Sequence, residues 1–278
     1  MSYIRNHMHD NLHDVRFAFG KNWQGYAKVI NEERVKLAEI SMQEMLGLGA
    51  LKGKTFLDIG SGSGLFSLSA IRLGAKKVLS FDYDLRSVEC AQETRRCFAP
   101  DAANWSIEQG SILNADYCAK VGSFDIVYSW GVLHHTGNMY AAFEETAKLV
   151  SSGGILFISI YNNQGFRSRL WKLIKLLYNK AVILRPLITG AVFFRFWFLS
   201  SLKDILHLRP FRTLRQYRGR RGMSAWHDTV DWVGGYPFEY ASPEVVKIYF
   251  CSRGFSLINF RSVGAGHGCN EFVFKRIS

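Results

Sequence analysis

Asp58 stands two residues ahead of the first of three alternating glycines in the run Leu57-Asp58-Ile59-Gly60-Ser61-Gly62-Ser63-Gly64. Glycines at these points let the backbone turn tightly and approach a ligand without Cβ contacts. Asp82 and Asp84 follow a second apolar run, Val78 to Phe81. An acid about 20 residues beyond a glycine turn suits ribose hydroxyls. The spacing G-x-G-x-G departs from the G-x-G-x-x-G of dinucleotide enzymes, and no lysine follows the last glycine as in a phosphate-binding loop. A carboxylate at Asp58 is a poor neighbour for pyrophosphate and a good one for an ammonium or sulfonium group. These residues describe a pocket for a cationic nucleoside cofactor at the carboxyl ends of parallel strands.

Two further groups of residues have acid–base character. His134 and His135 follow the apolar run that starts at Phe124, on the ligand side of such a sheet. They read either as catalytic or substrate-contacting groups, or as residues that hold their loop by hydrogen bonds. The block from Arg221 to Pro237 packs Trp226, His227, Asp228, Asp231 and Trp232 among three glycines. His227 beside Asp228 forms a tuned acid–base pair in one reading, with Asp231 orienting a hydroxyl and the indoles stacking on a ring. In the other, the block is a hinge. His7, His9 and His13 read as a loose tail or a substrate-facing segment rather than a metal site, and no metal is expected. The cysteines, 90, 97, 118, 251 and 269, form no C-x-x-C pair and read as reduced thiols.

Positioning these residues takes alternating strands and helices. Strands are predicted at 55–59, 77–81, 105–109, 124–129 and 155–160, and helices at 65–73, 85–97 and 139–150. That order gives a mostly parallel sheet with helices on both faces. Ser242-Pro243-Glu244 opens another helix with proline in its first turn. Two closing strands, Phe255–Ser262 and Glu271–Lys275, complete seven. Residues 1–30 read as an irregular arm with aromatic anchors Phe17, Phe19, Trp23 and Tyr26. Asn31 caps a helix that ends near Gly47. No apolar leader is visible at the start, so a cytoplasmic location is expected.

The motifs resemble those of the class I S-adenosylmethionine-dependent methyltransferases. LDIGSGSGLFS is similar to their first motif, SFDYD to their second, and GSILNAD to their adenine-contacting loop. FDIVYSWGVLHH is similar to their fourth strand and the loop after it, and SSGGILFISI to the turn and fifth strand. The resemblance covers about 50–160, resumes at 237–278, and is nearest to the ubiquinone-biosynthesis-like O-methyltransferases. It implies a doubly wound, Rossmann-like α/β fold with a closing antiparallel hairpin, and S-adenosyl-L-methionine as cofactor. The first motif would contribute Asp58, Gly60, Ser61, Gly62, Gly64, Leu65 and Phe66. The second would contribute Asp82 and Tyr83, the adenine loop Ser111 and Ile112, and the end of the fourth strand Trp130. Ser111 departs from the aspartate that many relatives carry. Apart from the resemblance, the arm segment Gly20 to Tyr26 reads as a lid over the cofactor, with Lys21 meeting its carboxylate and Trp23 or Tyr26 on the methionine side, or as simple packing of a terminal arm. His135 matches the histidine of the relatives' V-L-x-H pattern.

The chain has 278 residues and a formal charge of +12. Residues 162–235 hold 14 basic residues against three acids, which is +11 of that total. This segment is also rich in Trp, Phe and Leu, yet Arg185, Pro186 and Arg195 interrupt the apolar run, so it does not read as a membrane span. Four parts follow: an arm and helix at 1–49, a core at 50–161, a basic aromatic helical insertion at 162–235 between the fifth strand and the last helix, and a core return at 236–278. The insertion reads as a cap packed on the core, as a peripheral membrane or lipid-linked substrate contact, or as an RNA contact. The expected activity is O-methylation of a small, glycan or lipid-linked acceptor, an anionic one suiting the basic cap. RNA methylation, or an idle methyltransferase fold that binds membrane or RNA, are the alternatives.

Overall fold

The computed structural model describes residues 16–27, 29–206, 209, 225–264, 266 and 268–277. Strands β1 (Thr55–Ile59), β2 (Lys77–Asp82), β3 (Trp105–Gln109), β4 (Phe124–Trp130) and β5 (Val150–Tyr161) run parallel. Strands β6 (Phe255–Arg261) and β7 (Cys269–Arg276) complete the sheet, with β7 antiparallel to both β5 and β6. The strand order is β3-β2-β1-β4-β5-β7-β6. The order reverses at β1, which pairs with β2 on one side and β4 on the other. Open α/β sheets bind ligands at such a point, beyond the carboxyl ends of the strands.

Burial on both faces explains the near-continuous apolar strands. Phe56 and Leu57 are neighbours in sequence and both fully buried, yet they enter different cores because successive side chains alternate across a strand. Phe56 meets α2 (Glu32–Leu46) and α3 (Leu65–Arg72) through Met42 and Leu68. Leu57 shares its core with α5 (Ala115–Val121), α6 (Met139–Lys148) and α10 (Pro243–Cys251) through Cys118, Phe143 and Phe250. Helix α4 (Leu85–Phe98) starts at Asp84, whose carboxylate accepts the Arg86 N–H.

The expected arm over 1–30 is corrected in part: Phe19–Ala27 is a helix, α1. Phe19, Trp23 and Tyr26 stand at helical spacing, while Gly20 and Gly25 argue against a helix by propensity. Packing overrides propensity here. A Cβ on Gly20 would lie 2.5 Å from the Asp84 carboxylate, so close docking of α1 onto the start of α4 requires glycine. Residues 1–15, with His7, His9 and His13, lie outside the described residues. Helix α5, which begins at the end of the 110–116 segment read as a loop, was also missed. It is only seven residues long and starts from an Asn114 cap.

The basic insertion is helical where described: α7 (Phe166–Lys180), a 3-10 turn (Val182–Leu184), α8 (Arg185–Leu206) and α9 (Ala225–Gly234). Pro186 falls in the first turn of α8, where its missing N–H costs nothing. Among the described residues no single helix is long and apolar enough to cross a membrane.

Gly64 caps α3 with φ +75°, and a Cβ there would lie 3.0 Å from the Ala91 Cα. Gly64→Ala is expected to lower stability by about 2 kcal/mol, from left-handed backbone strain and the pressure on α4. Urea denaturation measures it, and an unchanged midpoint would contradict the packing described.

Candidate functional site

The glycine turn is bound to the end of the neighbouring strand. The N–H groups of Gly60 and Ser61 both donate to the Phe81 carbonyl, at 2.8 and 3.2 Å. Gly62 N–H donates to Asp82 Oδ2 at 3.0 Å, and Asp84 N–H to Asp82 Oδ1 at 2.9 Å. Each carboxylate oxygen has a second lone pair, so Asp82 still has acceptor capacity for ligand hydroxyls. Asp84 Oδ2 accepts the Gly20 N–H at 3.0 Å, which fastens α1 beside the turn.

Asp58 lies beneath the turn, 3 % exposed. Trp105 Nε1 donates to Ser80 Oγ at 2.7 Å, Ser80 and Ser67 share a hydrogen bond of 2.6 Å, and Ser67 Oγ donates to Asp58 Oδ2. With both ends fixed, Ser80 is the donor to Ser67 when Asp58 is ionised. Burial pushes the Asp58 carboxyl up to about 7, against the Ser67 hydrogen bond and with a further push from the Asp82 charge. Burial likewise raises Asp82 to about 6, opposed by the Asp84 and Gly62 N–H groups. Two neighbouring carboxylates, one buried and one partly buried, favour a cationic ligand.

The loop after β4 separates the two histidines. Gly131, at φ +78°, donates its N–H to Ser159 Oγ at 2.8 Å, and a 3-10 turn spans Leu133–His135. His135 Nδ1 lies 2.6 Å from the Pro237 carbonyl. A carbonyl only accepts, so Nδ1 carries the proton and the neutral ring keeps a lone pair on Nε2. Burial holds this imidazole down to about 3, and the Lys175 and Arg16 charges lower it further while the Pro237 bond opposes. His134 is fully buried and packs its ring 4.1 Å from that of Tyr161. Burial and the His135 and Lys175 charges lower its pKa well below the usual histidine value.

These groups line a cavity of about 1100 Å³. The strand ends form its floor. The α1 segment closes one side: the Trp23 ring rests on Gly62, where a Cβ would approach within 2.8 Å. Phe17 N–H donates to the Tyr236 carbonyl at 3.0 Å, and Arg16 Nη2 donates to the Thr136 carbonyl at 2.6 Å. The insertion contributes Phe196, Trp197, Thr229 and Trp232 as the far wall. Behind that wall Lys175 is fully buried, with its ammonium 4.7 Å from the Trp232 ring centroid and 4.8 Å from that of Phe238.

Of the residues singled out from the sequence, Trp23, Asp58, Gly60, Ser61, Leu65, Phe66, Asp82, Tyr83, Ile112, Trp130 and His135 line the cavity. Gly62 and Gly64 shape the turn from behind, one under Trp23 and one against Ala91. Ser111 stands between the lining residues Gly110 and Ile112 without lining the cavity itself. Lys21 is on the exposed side of α1, away from the cavity, because helical geometry turns it opposite to Trp23. His134 is behind the wall rather than in it. The side chains of His227, Asp228 and Asp231, on α9, lie outside the described residues, as do 210–224. Sequence reading missed Arg16, Thr136 and Tyr161. Tyr161 ends β5 two residues beyond Ser159, the partner of Trp130 at the end of β4; Arg16 gave no local signal.

The turn, the paired carboxylates and the roomy cavity fit a nucleoside cofactor that carries positive charge. The methyltransferase-domain family matches residues 50–193. The chain is 30% identical over 123 residues to the ubiquinone biosynthesis O-methyltransferase of Cupriavidus pinatubonensis, covering 42% of this chain and 45% of that protein. It is 30% identical over 122 residues to the tRNA U34 carboxymethyltransferase of Methylococcus capsulatus, covering 44% and 36%. The chain thus spans less than half the length of either curated relative. Its fold is similar to that of the magnesium protoporphyrin IX methyltransferase of Synechocystis PCC 6803 solved with bound SAH, with TM-score 0.51 and 17% identity, covering 90% of this chain and 86% of that one. The chain belongs to the methyltransferase-domain family, and it is an S-adenosylmethionine-dependent methyltransferase with the Rossmann-like fold.

Proposed function

We propose that the methyl group passes to a hydroxyl oxygen of a small, glycan or lipid-linked acceptor, with His135 taking the hydroxyl proton. The observation behind this reading is the Nδ1 hydrogen bond of His135 to the Pro237 carbonyl, which leaves an Nε2 lone pair on a ring that lines the cavity. S-adenosylmethionine supplies an electrophilic methyl group when bound. Asp58 and Asp82 favour its positive charge, and Asp82 retains acceptor capacity for ribose hydroxyls. Trp23 and the rest of α1 shield the turn from water. The acceptor lies toward Phe196, Trp197, Thr229 and Trp232, and His135 receives its proton as the oxygen attacks.

A ring held down to about 3 is a weak base. The charges of Lys175 and Arg16 contribute to that lowering. An acceptor that brings a negative group near them offsets their effect and raises the proton affinity of His135. This favours an anionic acceptor, a phosphorylated or carboxylated one. Methylation of RNA is the competing reading. It draws on the charge of residues 162–235 and on the similarity to the tRNA U34 enzyme. Steeply salt-dependent binding of RNA to the full chain would favour it.

Three outcomes check the assignment. Asp82→Asn is expected to weaken S-adenosylmethionine binding roughly 10- to 100-fold, as a charge-assisted acceptor is lost; equal affinity by calorimetry would remove Asp82 from the ribose role. Cofactor binding near pH 6.5 is expected to release part of a proton. Asp58 and Asp82 have raised pKa values, about 7 and about 6, and a bound cation favours their ionised forms. Affinity therefore rises with pH through this range and levels above it. Calorimetry in two buffers of different ionisation heat measures the release, and Asp58→Asn should diminish it. His135→Gln is expected to lower kcat about 100-fold with cofactor affinity retained. Undiminished turnover would move the base elsewhere, with the His227–Asp228 pair the next to test.

A further inference from the structure

Helices α7 and α8 meet across the 182–184 turn at a bend of 112°. Each has one face without protein cover. On α7 the exposed large apolar residues are Phe166, Leu170, Leu173 and Leu177, spaced four, three and four apart, so they form a single stripe. The opposite face holds the buried Ser168, Lys175 and Asn179. On α8 Leu187, Phe194, Phe198, Leu202 and Ile205 likewise share one exposed stripe, while Thr189 and Val192 are buried. The turn between them is apolar too, and Ile183 is 89% exposed. This is the reverse of a soluble cap, which would face water with polar residues.

Charge decides what fits this surface. Arg167, Arg169, Lys172, Lys180 and Arg195 are exposed on the same two helices, and Asp204 is the one acid between 166 and 206. A second copy of the chain, apposed through the same face, would bring cation against cation. RNA would be served by the cations but has no use for rows of leucine and isoleucine. A bilayer with anionic headgroups satisfies both, with aliphatic side chains in the acyl boundary and Lys and Arg at the phosphates.

We propose that α7, the 182–184 turn and α8 dock this methyltransferase on the surface of an anionic phospholipid bilayer. The same two helices reach the catalytic cavity from their other side. Phe196 and Trp197 of α8 line it, and Lys175 of α7 sits behind it among the Tyr161, Trp232 and Phe238 rings. Docking thus places the acceptor wall next to the membrane and narrows the acceptor to an amphiphile resident there. That last step rests on the proposed function; the docking itself does not.

The test is flotation of the full chain with vesicles of phosphatidylcholine alone and with phosphatidylglycerol added. The chain is expected to float with the anionic vesicles and to dissociate as salt is raised. Leu173→Glu with Phe194→Glu should reduce the bound fraction roughly tenfold, with S-adenosylmethionine affinity unchanged, since neither side chain lines the cavity. Arg167→Glu, Lys172→Glu and Arg195→Glu together keep the apolar stripe and should abolish the preference for anionic lipid. Failure of the full chain to float, or flotation that neither variant weakens, overturns the proposal. So does a dimer that Leu173→Glu with Phe194→Glu dissociates while the full chain stays off vesicles, or RNA binding without vesicle binding. A chain that floats but methylates no hydroxyl in a lipid extract supports docking and sinks the acceptor assignment instead.

Discussion

Asp58 and Asp82 sit at the ends of adjacent strands, the first buried and the second partly so, with a glycine turn folded over one and bonded to the other. Keeping both ionised is unfavourable, and each is raised toward neutrality. The Ser67 hydroxyl and the N–H groups of Gly62 and Asp84 offset only part of that cost. The remainder is available to a ligand with positive charge, which makes the pocket selective before any shape is considered. Much of the surrounding structure serves this pair. The Trp105–Ser80–Ser67 chain orients Asp58, the Phe81 carbonyl holds the turn, and Asp84 fastens α1 beside it.

The other end of the cavity has the opposite character. Arg16 and a neutral imidazole line the cavity there, with Lys175 buried behind the wall, and both cations push the His135 proton affinity down. Cation-seeking and anion-seeking regions therefore share one cavity with aromatic walls between them. A methyl donor bearing positive charge and an acceptor bearing negative charge would each be drawn to its own end. On the proposed reading that polarity orders the two reactants, and through Lys175 it links the insertion to the chemistry.

Most of the fold was legible because its strands are buried on both faces and its helices carry caps: the runs at 55–59 and 105–109 and the Ser242-Pro243 helix start stand where the spacing put them. The errors have physical causes. Helix α1 was hidden by Gly20 and Gly25, whose low helix propensity is outweighed by a docking contact no side chain could make. The cofactor end of the site was readable because a local turn builds it, so Asp58, Gly60 and Asp82 fall within 25 residues of one another. The proposed acceptor end draws on Arg16, His135, Tyr161, Phe196 and Trp232, with the Pro237 carbonyl behind His135, which only the tertiary fold brings together. His134 and His135 show the limit plainly. Adjacent and chemically identical, they part company because a 3-10 turn directs one ring into the cavity and the other under Tyr161.

Lys175 shows how the insertion and the core depend on each other. On a helix whose exposed side is leucine, one cation is turned inward onto the rings of Tyr161, Trp232 and Phe238. Tyr161 belongs to β5, Trp232 to α9 and Phe238 to the return into the core, so this one ammonium touches three separately folded segments. Burying it costs solvation that the aromatic faces recover in part. An apolar residue would fill the same space at lower cost and would spare His135 a charge that lowers its proton affinity. On the proposed reading an anionic acceptor offsets this inward cation, while the outward ones meet lipid headgroups.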